Sequence, residues 1–193
     1  ELRLQYLTED KRGTEVLKAV AERARWQRRA AAGAKTDGTS ASGRGIAVTR
    51  RSGGYAAAVA DVDVNRSSGK VTVKKITLAH DCGLMVNPDG VKNQVEGNIV
   101  QGVSRALLEE VGFNADGVTT LDWATYPILK FSEVPEIDIA LINRPEVAPL
   151  GAGELATVPV PAAIASAIFD AVGAKVREAP FTPNRVLAAM KNA

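Results

Sequence analysis

Three strand-like runs follow one another with only tight turns between them, and no other feature of this chain narrows its fold as much. Gly45–Arg51 and Tyr55–Asn65 flank Ser52-Gly53-Gly54, and Ser68-Gly69 joins the second run to Lys70–Ala79. Val62 and Val64 alternate with Asp61 and Asp63, and Val71, Val73, Ile76 and Leu78 are interleaved with polar residues. A period of two puts the apolar side chains on one face of a strand, and connections this short can only join antiparallel neighbours. The pattern predicts an antiparallel meander with one strongly buried face.

Helical spacing brackets the meander. Val16, Leu17, Val20, Ala21 and Ala24 predict a helix over about Thr14–Arg29. The stretch Ala30–Gly45, rich in Ala, Gly, Ser and Thr, reads as a linker, so the expected division is an N-terminal helix and linker over 1–42 and a main body over 43–193. Asn87-Pro88 predicts a helix start, with Asn as cap and Pro in the first turn, and the helix should run to about Glu110 with Gly112 as its stop. A turn at Asp116-Gly117 should precede a short strand near Val118–Leu121, and Glu136–Asn143 alternates as a strand. A Gly-Pro loop over Arg144–Glu154 leads to an apolar helix Pro159–Val172, and Thr182-Pro183 should open a last one reaching Met190. Strands and helices without regular alternation predict an α+β fold, mostly antiparallel sheet with packed helices.

The chemistry the chain could carry alone is limited. One His and one Cys cannot build a zinc or iron site, and a single thiol forms no internal disulfide. His80 and Cys82 would share a strand face and could touch, but a space-filling pair is the preferred reading. No Walker-type phosphate loop is present, and Ser42-Gly43-Arg44-Gly45 does not lie between a strand and a helix. The basic cluster Arg23, Arg25, Arg28 and Arg29, beside Trp26, reads as a solvated helix face rather than a nucleic-acid patch, and a net charge of +2 does not point to a polyanion. No apolar stretch of spanning length is evident.

Two segments remain. On the helix from Asn87, the residues Gln94, Asn98, Gln101 and Arg105 fall on one stripe beside an apolar arc of Val91, Val95, Ile99, Val103 and Ala106. Amides both donate and accept, so such a stripe suits a polar, uncharged ligand, and Gly97 and Gly102 would let a ligand or another backbone approach. Solvated amides on a core helix are the plainer reading. Gly151-Ala152-Gly153-Glu154 could carry a carboxylate into a pocket, where burial would raise its pKa as a general base needs. A helix-capping or surface glutamate is the plainer reading there.

Ordered blocks decide between these readings. Gly43-Arg44-Gly45-Ile46-Ala47-Val48, Gly54-Tyr55, Val59-Ala60-Asp61-Val62, His80-Asp81-Cys82-Gly83, Val86-Asn87-Pro88, Gln94-Val95-Glu96-Gly97, Val100-Gln101-Gly102 and Gly151-Ala152-Gly153-Glu154 follow in order. Together they resemble the molybdopterin-binding large subunit of the xanthine dehydrogenase/aldehyde oxidase family, in the style of the isoquinoline 1-oxidoreductase beta-subunit group. The resemblance is strongest over Gly43–Val172 and implies the C-terminal portion of a molybdopterin-binding domain.

It also implies roles. Glu154 is the general base, Gln94 contacts the pterin, and Gly97, Gln101 and Gly153 line the same cofactor surface. The implied cofactor is a molybdopterin-type molybdenum cofactor, with or without a nucleotide extension, whose own dithiolene sulfurs hold the metal. The implied reaction is hydroxylation of an N-heterocycle or aldehyde with water as the oxygen source. Iron–sulfur clusters would lie on a partner chain, and the earlier part of the large subunit would supply further cofactor contacts and most of the substrate pocket. Alone, the chain is expected to be a fragment without turnover. The chain opens on Glu rather than Met, so its N-terminus reads as cut or processed; the cytoplasm is the expected compartment and the periplasm the alternative. The competing expectation is a non-catalytic assembly or binding module that keeps the fold and acts only with a partner.

Overall fold

The computed structural model describes residues 1–27 and 38–192. Short helix α1 (Leu2–Tyr6) and α2 (Lys11–Arg23) precede three strands, β1 (Ser40–Arg51), β2 (Gly54–Asn65) and β3 (Val71–Asp81). Then come α3 (Pro88–Leu107), a small ribbon of β4 (Phe113–Asn114) and β5 (Gly117–Val118), β6 (Glu136–Leu141), α4 (Pro159–Val172) and α5 (Pro183–Lys191). The α+β expectation holds. The main sheet is open, in the order β1-β2-β3-β6, with the first two pairings antiparallel and β3-β6 parallel.

The meander forms as its turns dictate. Ser52 and Gly53 both have positive φ (50° and 85°), the backbone of a two-residue turn whose twist matches the strands it joins. A bulge opposite Asp61/Val62 drops Lys74 out of register. It lets Val71 and Val73 share a face with Ile76 and Leu78 although the spacing between the pairs is odd.

That face is covered by α3 and α4. Ala58, Ala60, Val62 and Val64 of β2 pack with Ile99 and Val103 of α3 and Ala163, Ile164, Ala167 and Ile168 of α4. The glycines of the segment read as a linker explain how α4 seats so closely. A Cβ added to Gly43 would lie 2.1 Å from the Ala167 carbonyl oxygen, and one added to Gly45 would lie 2.1 Å from that of Ala163. Ser40–Gly45 is therefore strand, not linker: its small residues are a docking edge for the alanine-rich α4. The first part of the expected linker, residues 30–37, lies outside the described residues, as do Arg28 and Arg29.

The opposite face is covered by α2, where Val16, Leu17 and Val20 pack on Ile46, Tyr55, Ala57, Val59 and Ala79. α2 begins at Lys11, capped by the Asp10 carboxylate accepting from the Gly13 N–H, and ends at Arg23, with Arg25 at φ 49°. Arg23 of the basic cluster pairs with Asp138 at 2.6 Å, and Arg44 lies over the Trp26 ring. α3 stops at Leu107, before the expected Gly112, while its Asn87 cap accepts from the Gly90 N–H at 3.0 Å as expected. Leu155–Val172, a 3-10 turn running straight into α4, does reach spanning length and apolarity, contrary to the sequence expectation. Its Val160, Ala163, Ile164, Ala167 and Ile168 are fully buried, as in the central helix of a packed core.

Candidate active site

Glu154 ends the loop that returns from β6. That loop runs beside the chain leaving β3: the Leu84 N–H donates to Val147, the Leu150 N–H to Cys82, and the Arg144 N–H to Gly83. Gly83 (φ 77°) is needed there, since a Cβ would lie 2.3 Å from the Ala148 carbonyl oxygen. The loop then meets the β1-β2 hairpin, where the Leu155 side chain packs over Gly54. Between them lies a cleft of about 370 Å³ lined by Arg51, Ser52, Leu150, Gly151, Gly153 and Glu154.

The Glu154 side chain is 71% exposed and its Oε1 is held 2.8 Å from Arg51 Nη2. Of the two sequence readings, a carboxylate buried in a pocket and a capping or surface glutamate, the exposure matches a surface glutamate: among the described residues Glu154 stands at an open cleft. It does not cap the following turn through its side chain. Its position comes from the backbone, whose carbonyl accepts from the Thr157 N–H at 3.1 Å.

The amide stripe of α3 divides in two. Gln94, Gly97, Gln101 and Arg105 are exposed, whereas Asn98 is only 4% exposed. Helical geometry explains the split: at about 100° per residue, Gln101 and Arg105 lie within about 20° of Gln94, but Asn98 is rotated about 40° toward the apolar arc. Arg105 Nη2 donates to Gln101 Oε1 at 3.4 Å. The two glycines also part company. Gly102 is filled by Val160 of α4, whose Cβ would lie 2.9 Å from an added Cβ, while nothing among the described residues lies within 4 Å of one at Gly97. The same emptiness surrounds Gly151 and Gly153.

Asn98 joins the two segments. Its Nδ2 donates to the Gln94 carbonyl at 2.5 Å and to the Gly153 carbonyl at 3.1 Å. Its Oδ1 accepts from the Thr157 hydroxyl at 2.6 Å and the Thr157 N–H at 3.3 Å. One carboxamide thus touches the backbones of Gln94 and Gly153, bringing together the two stretches singled out in the sequence. Asn98 was visible there only as a member of the stripe.

The His80-Asp81-Cys82-Gly83 block is structural within this chain. Asp81 is completely buried, and its carboxylate accepts from Arg12 of α2 (2.6 and 3.0 Å), from Arg144 of the return loop (2.6 Å) and from the Gly83 N–H (3.0 Å). Those donors outweigh burial and hold the Asp81 carboxyl below its ordinary pKa. Arg144 also pairs with Glu15, so one buried anion ties α2 to the loop that carries Glu154. Asp81 stands in one of the ordered blocks, but its role as an ion-pair hub is not legible there, since its partners lie 69 and 63 residues away. His80 is buried with neither ring nitrogen hydrogen-bonded among the described residues, and burial lowers its pKa to about 4, so it is neutral near pH 7. Cys82 is buried as well, which pushes its thiol up. Among the described residues no three His, Cys, Asp or Glu side chains group as metal ligands.

Comparisons with known proteins bear on what this surface holds. The family described as "Molybdopterin cofactor-binding domain" matches residues 6–135. A nicotinate dehydrogenase chain of Pseudomonas putida is 44% identical over 98% of this chain and 17% of its own length. The isoquinoline 1-oxidoreductase beta chain of Brevundimonas diminuta is 35% identical over 99% of this chain and 23% of its own. Among solved structures, quinoline 2-oxidoreductase from Pseudomonas putida 86 superposes with a TM-score of 0.66, at 29% identity, over 72% of this chain and 19% of that one. The chain therefore spans about a fifth of the length of these relatives.

Proposed function

This chain belongs to the molybdopterin cofactor-binding domain family of xanthine oxidase-type molybdoenzymes, and from that premise we propose that it supplies the general base and one wall of the cofactor site of a molybdenum-dependent hydroxylase. The observation that supports the reading is the Asn98 bridge, which ties the backbone of the Glu154 loop to that of the α3 turn carrying Gln94.

The residues fit the cofactor. Gln94 and Gln101 offer exposed donors and acceptors to a polar heterocycle, and Gly97, Gly151 and Gly153 leave open space against backbone. This donor set hydrogen-bonds a pterin; it does not ligate a metal, which suits a cofactor that brings its own sulfur ligands. When bound, the molybdenum cofactor supplies the two-electron oxidation, with water as the source of the inserted oxygen. Glu154 accepts the proton that this step releases. Arg51 engages one carboxylate oxygen, leaving the other for the proton, and an exposed pair of this kind is worth only about 0–1 kcal/mol, so it yields readily to a substrate. The cleft closes when the rest of the large subunit covers it; that portion completes the substrate pocket, and an iron–sulfur subunit takes the electrons.

The substrate is an N-heterocycle or an aldehyde, and the relatives named for nicotinate, isoquinoline and quinoline favour the first. The test is Glu154→Gln in the assembled enzyme. General-base catalysis is worth about 10²–10⁴-fold, so turnover should fall by that factor while molybdenum content stays near normal. A Gln variant with ordinary turnover would sink the assignment.

A further inference from the structure

We propose that Asn98 is a positioning residue, whose carboxamide sets the register between the cofactor-facing turn of α3 and the loop that presents Glu154. The proposal rests on Glu154 acting as the base.

Three facts single it out. Asn98 is the buried member of an otherwise exposed polar stripe. A buried amide is costly unless its donors and acceptors are met, and here both ends are engaged, by Gln94 and Gly153 on the nitrogen and by Thr157 on the oxygen. Its partners straddle Glu154: Gly153 comes immediately before and Thr157 three residues after. Among the described residues the Glu154 side chain has no buried anchor of its own, only an exposed arginine. The backbone on both sides of it bonds to the Asn98 carboxamide, which ties that backbone to α3.

The geometry also says how the cofactor would feel this. Gln94 and Asn98 are one helical turn apart, and the Asn98 amide bonds to the Gln94 carbonyl, so the pterin-facing residue and the base share one bridge. Base and cofactor would keep a fixed spacing without Glu154 being buried. Small displacements of a reacting group cost large factors in rate, about 10²-fold for 1 Å.

Two measurements test this. In amide hydrogen exchange on the full chain, Asn98→Ala should raise exchange over Gly151–Thr157 by about tenfold or more, with β2 and β3 protection unchanged. In the assembled enzyme, Asn98→Ala should lower kcat by about 10–100-fold with KM nearly constant, and have no further effect in a Glu154→Gln background, because both changes act through one group. An equal loss in both backgrounds would overturn the proposal, since Asn98 would then act elsewhere. So would full turnover in both Asn98→Asp, which keeps the acceptor and loses the donor, and Thr157→Val, which keeps the size and loses the hydroxyl. A fully active Glu154→Gln enzyme would instead refute the base itself, while the exchange result would still report whether Asn98 holds the loop.

Discussion

Six glycines of this chain fall into two groups that the sequence does not separate. At Gly43, Gly45 and Gly102 an added Cβ would meet the chain's own atoms at 2.1, 2.1 and 2.9 Å. At Gly97, Gly151 and Gly153 it would meet nothing within 4 Å. The first group is closed by helix α4; nothing in the described chain closes the second. Two carboxylates divide in the same way: among the described residues Asp81 has no exposed side-chain surface and two arginine partners, while Glu154 is 71% exposed with one. Closed positions are answerable to the fold. Gly97, Gly151 and Gly153 have neither a positive φ nor a close neighbour among the described residues, which leaves them free to serve a ligand.

Changes that break the closed half should show first in stability. Asp81→Asn should have the largest effect, about 3 kcal/mol, because removing the anion leaves Arg12 and Arg144 facing a neutral group in a partly buried site. Urea unfolding at pH 7 measures it. The Asp81 carboxyl titrates below its ordinary value when folded, so its contribution is present at neutral pH and lost as pH falls through that lowered value. The gap between wild type and Asp81→Asn should therefore shrink in acid. The matching change at the open position, Glu154→Gln, should leave stability within about 0.5 kcal/mol. A loss near that of Asp81→Asn would erase the comparison.

His80 sharpens it with a different pH signature. Its folded pKa is about 4 against an ordinary 6.5, so the unfolded state binds the proton more tightly and stability should drop as pH falls from 6.5 toward 4. That difference corresponds to about 3 kcal/mol. In His80→Leu this limb should vanish, and thermal melts at pH 7 and pH 4.5 should move closer together than in the wild type. A wild-type stability flat across that interval would mean the imidazole has a partner or reaches water.

Gly45→Ala should cost about 1–3 kcal/mol, since a single methyl forces α4 away from β1 along a contact made by backbone. Gly102→Ala, whose neighbour is a valine side chain able to shift, should cost less. Equal costs would mean that α4 moves as a unit.

The local part of this fold was legible, and the reasons show where legibility ends. Period-two runs and a Ser-Gly turn specify β1 to β3, and an Asn-Pro pair specifies the start of α3, because each signal lies within a few residues. Ser40–Gly45 misled because small residues suit both a linker and a strand under a tightly packed helix; only α4, more than a hundred residues on, decides. The parallel β3-β6 pairing likewise joins segments far apart in the chain. At the site, the ordered blocks supplied Gln94, Gly97, Gln101, Gly153 and Glu154, and the fold brings the backbones of Gln94 and Gly153 together. An exposed Glu154 was one of the two readings open from sequence, but the hubs at Asp81 and Asn98 could not be read, because Arg12, Arg144, Gly153 and Thr157 lie 55 or more residues from the side chain they bond.

The smallest change tests the open half directly. Gly97 sits inside α3, where glycine is less favourable than alanine by about 1 kcal/mol, and its surroundings among the described residues are empty. If the fold alone mattered, alanine would be the better residue. Gly97→Ala should therefore stabilise the isolated chain by up to about 1 kcal/mol in urea unfolding. In the assembled enzyme the same methyl would stand on the surface assigned to the pterin, beside Gln94 and Gln101, and molybdenum content after purification should fall. Opposite signs in the two measurements are what an open glycine kept for a ligand requires. A variant that is more stable and retains its molybdenum would show that the cofactor does not approach the helix at Gly97, and would confine the contact to Gln94 and the loop around Gly153.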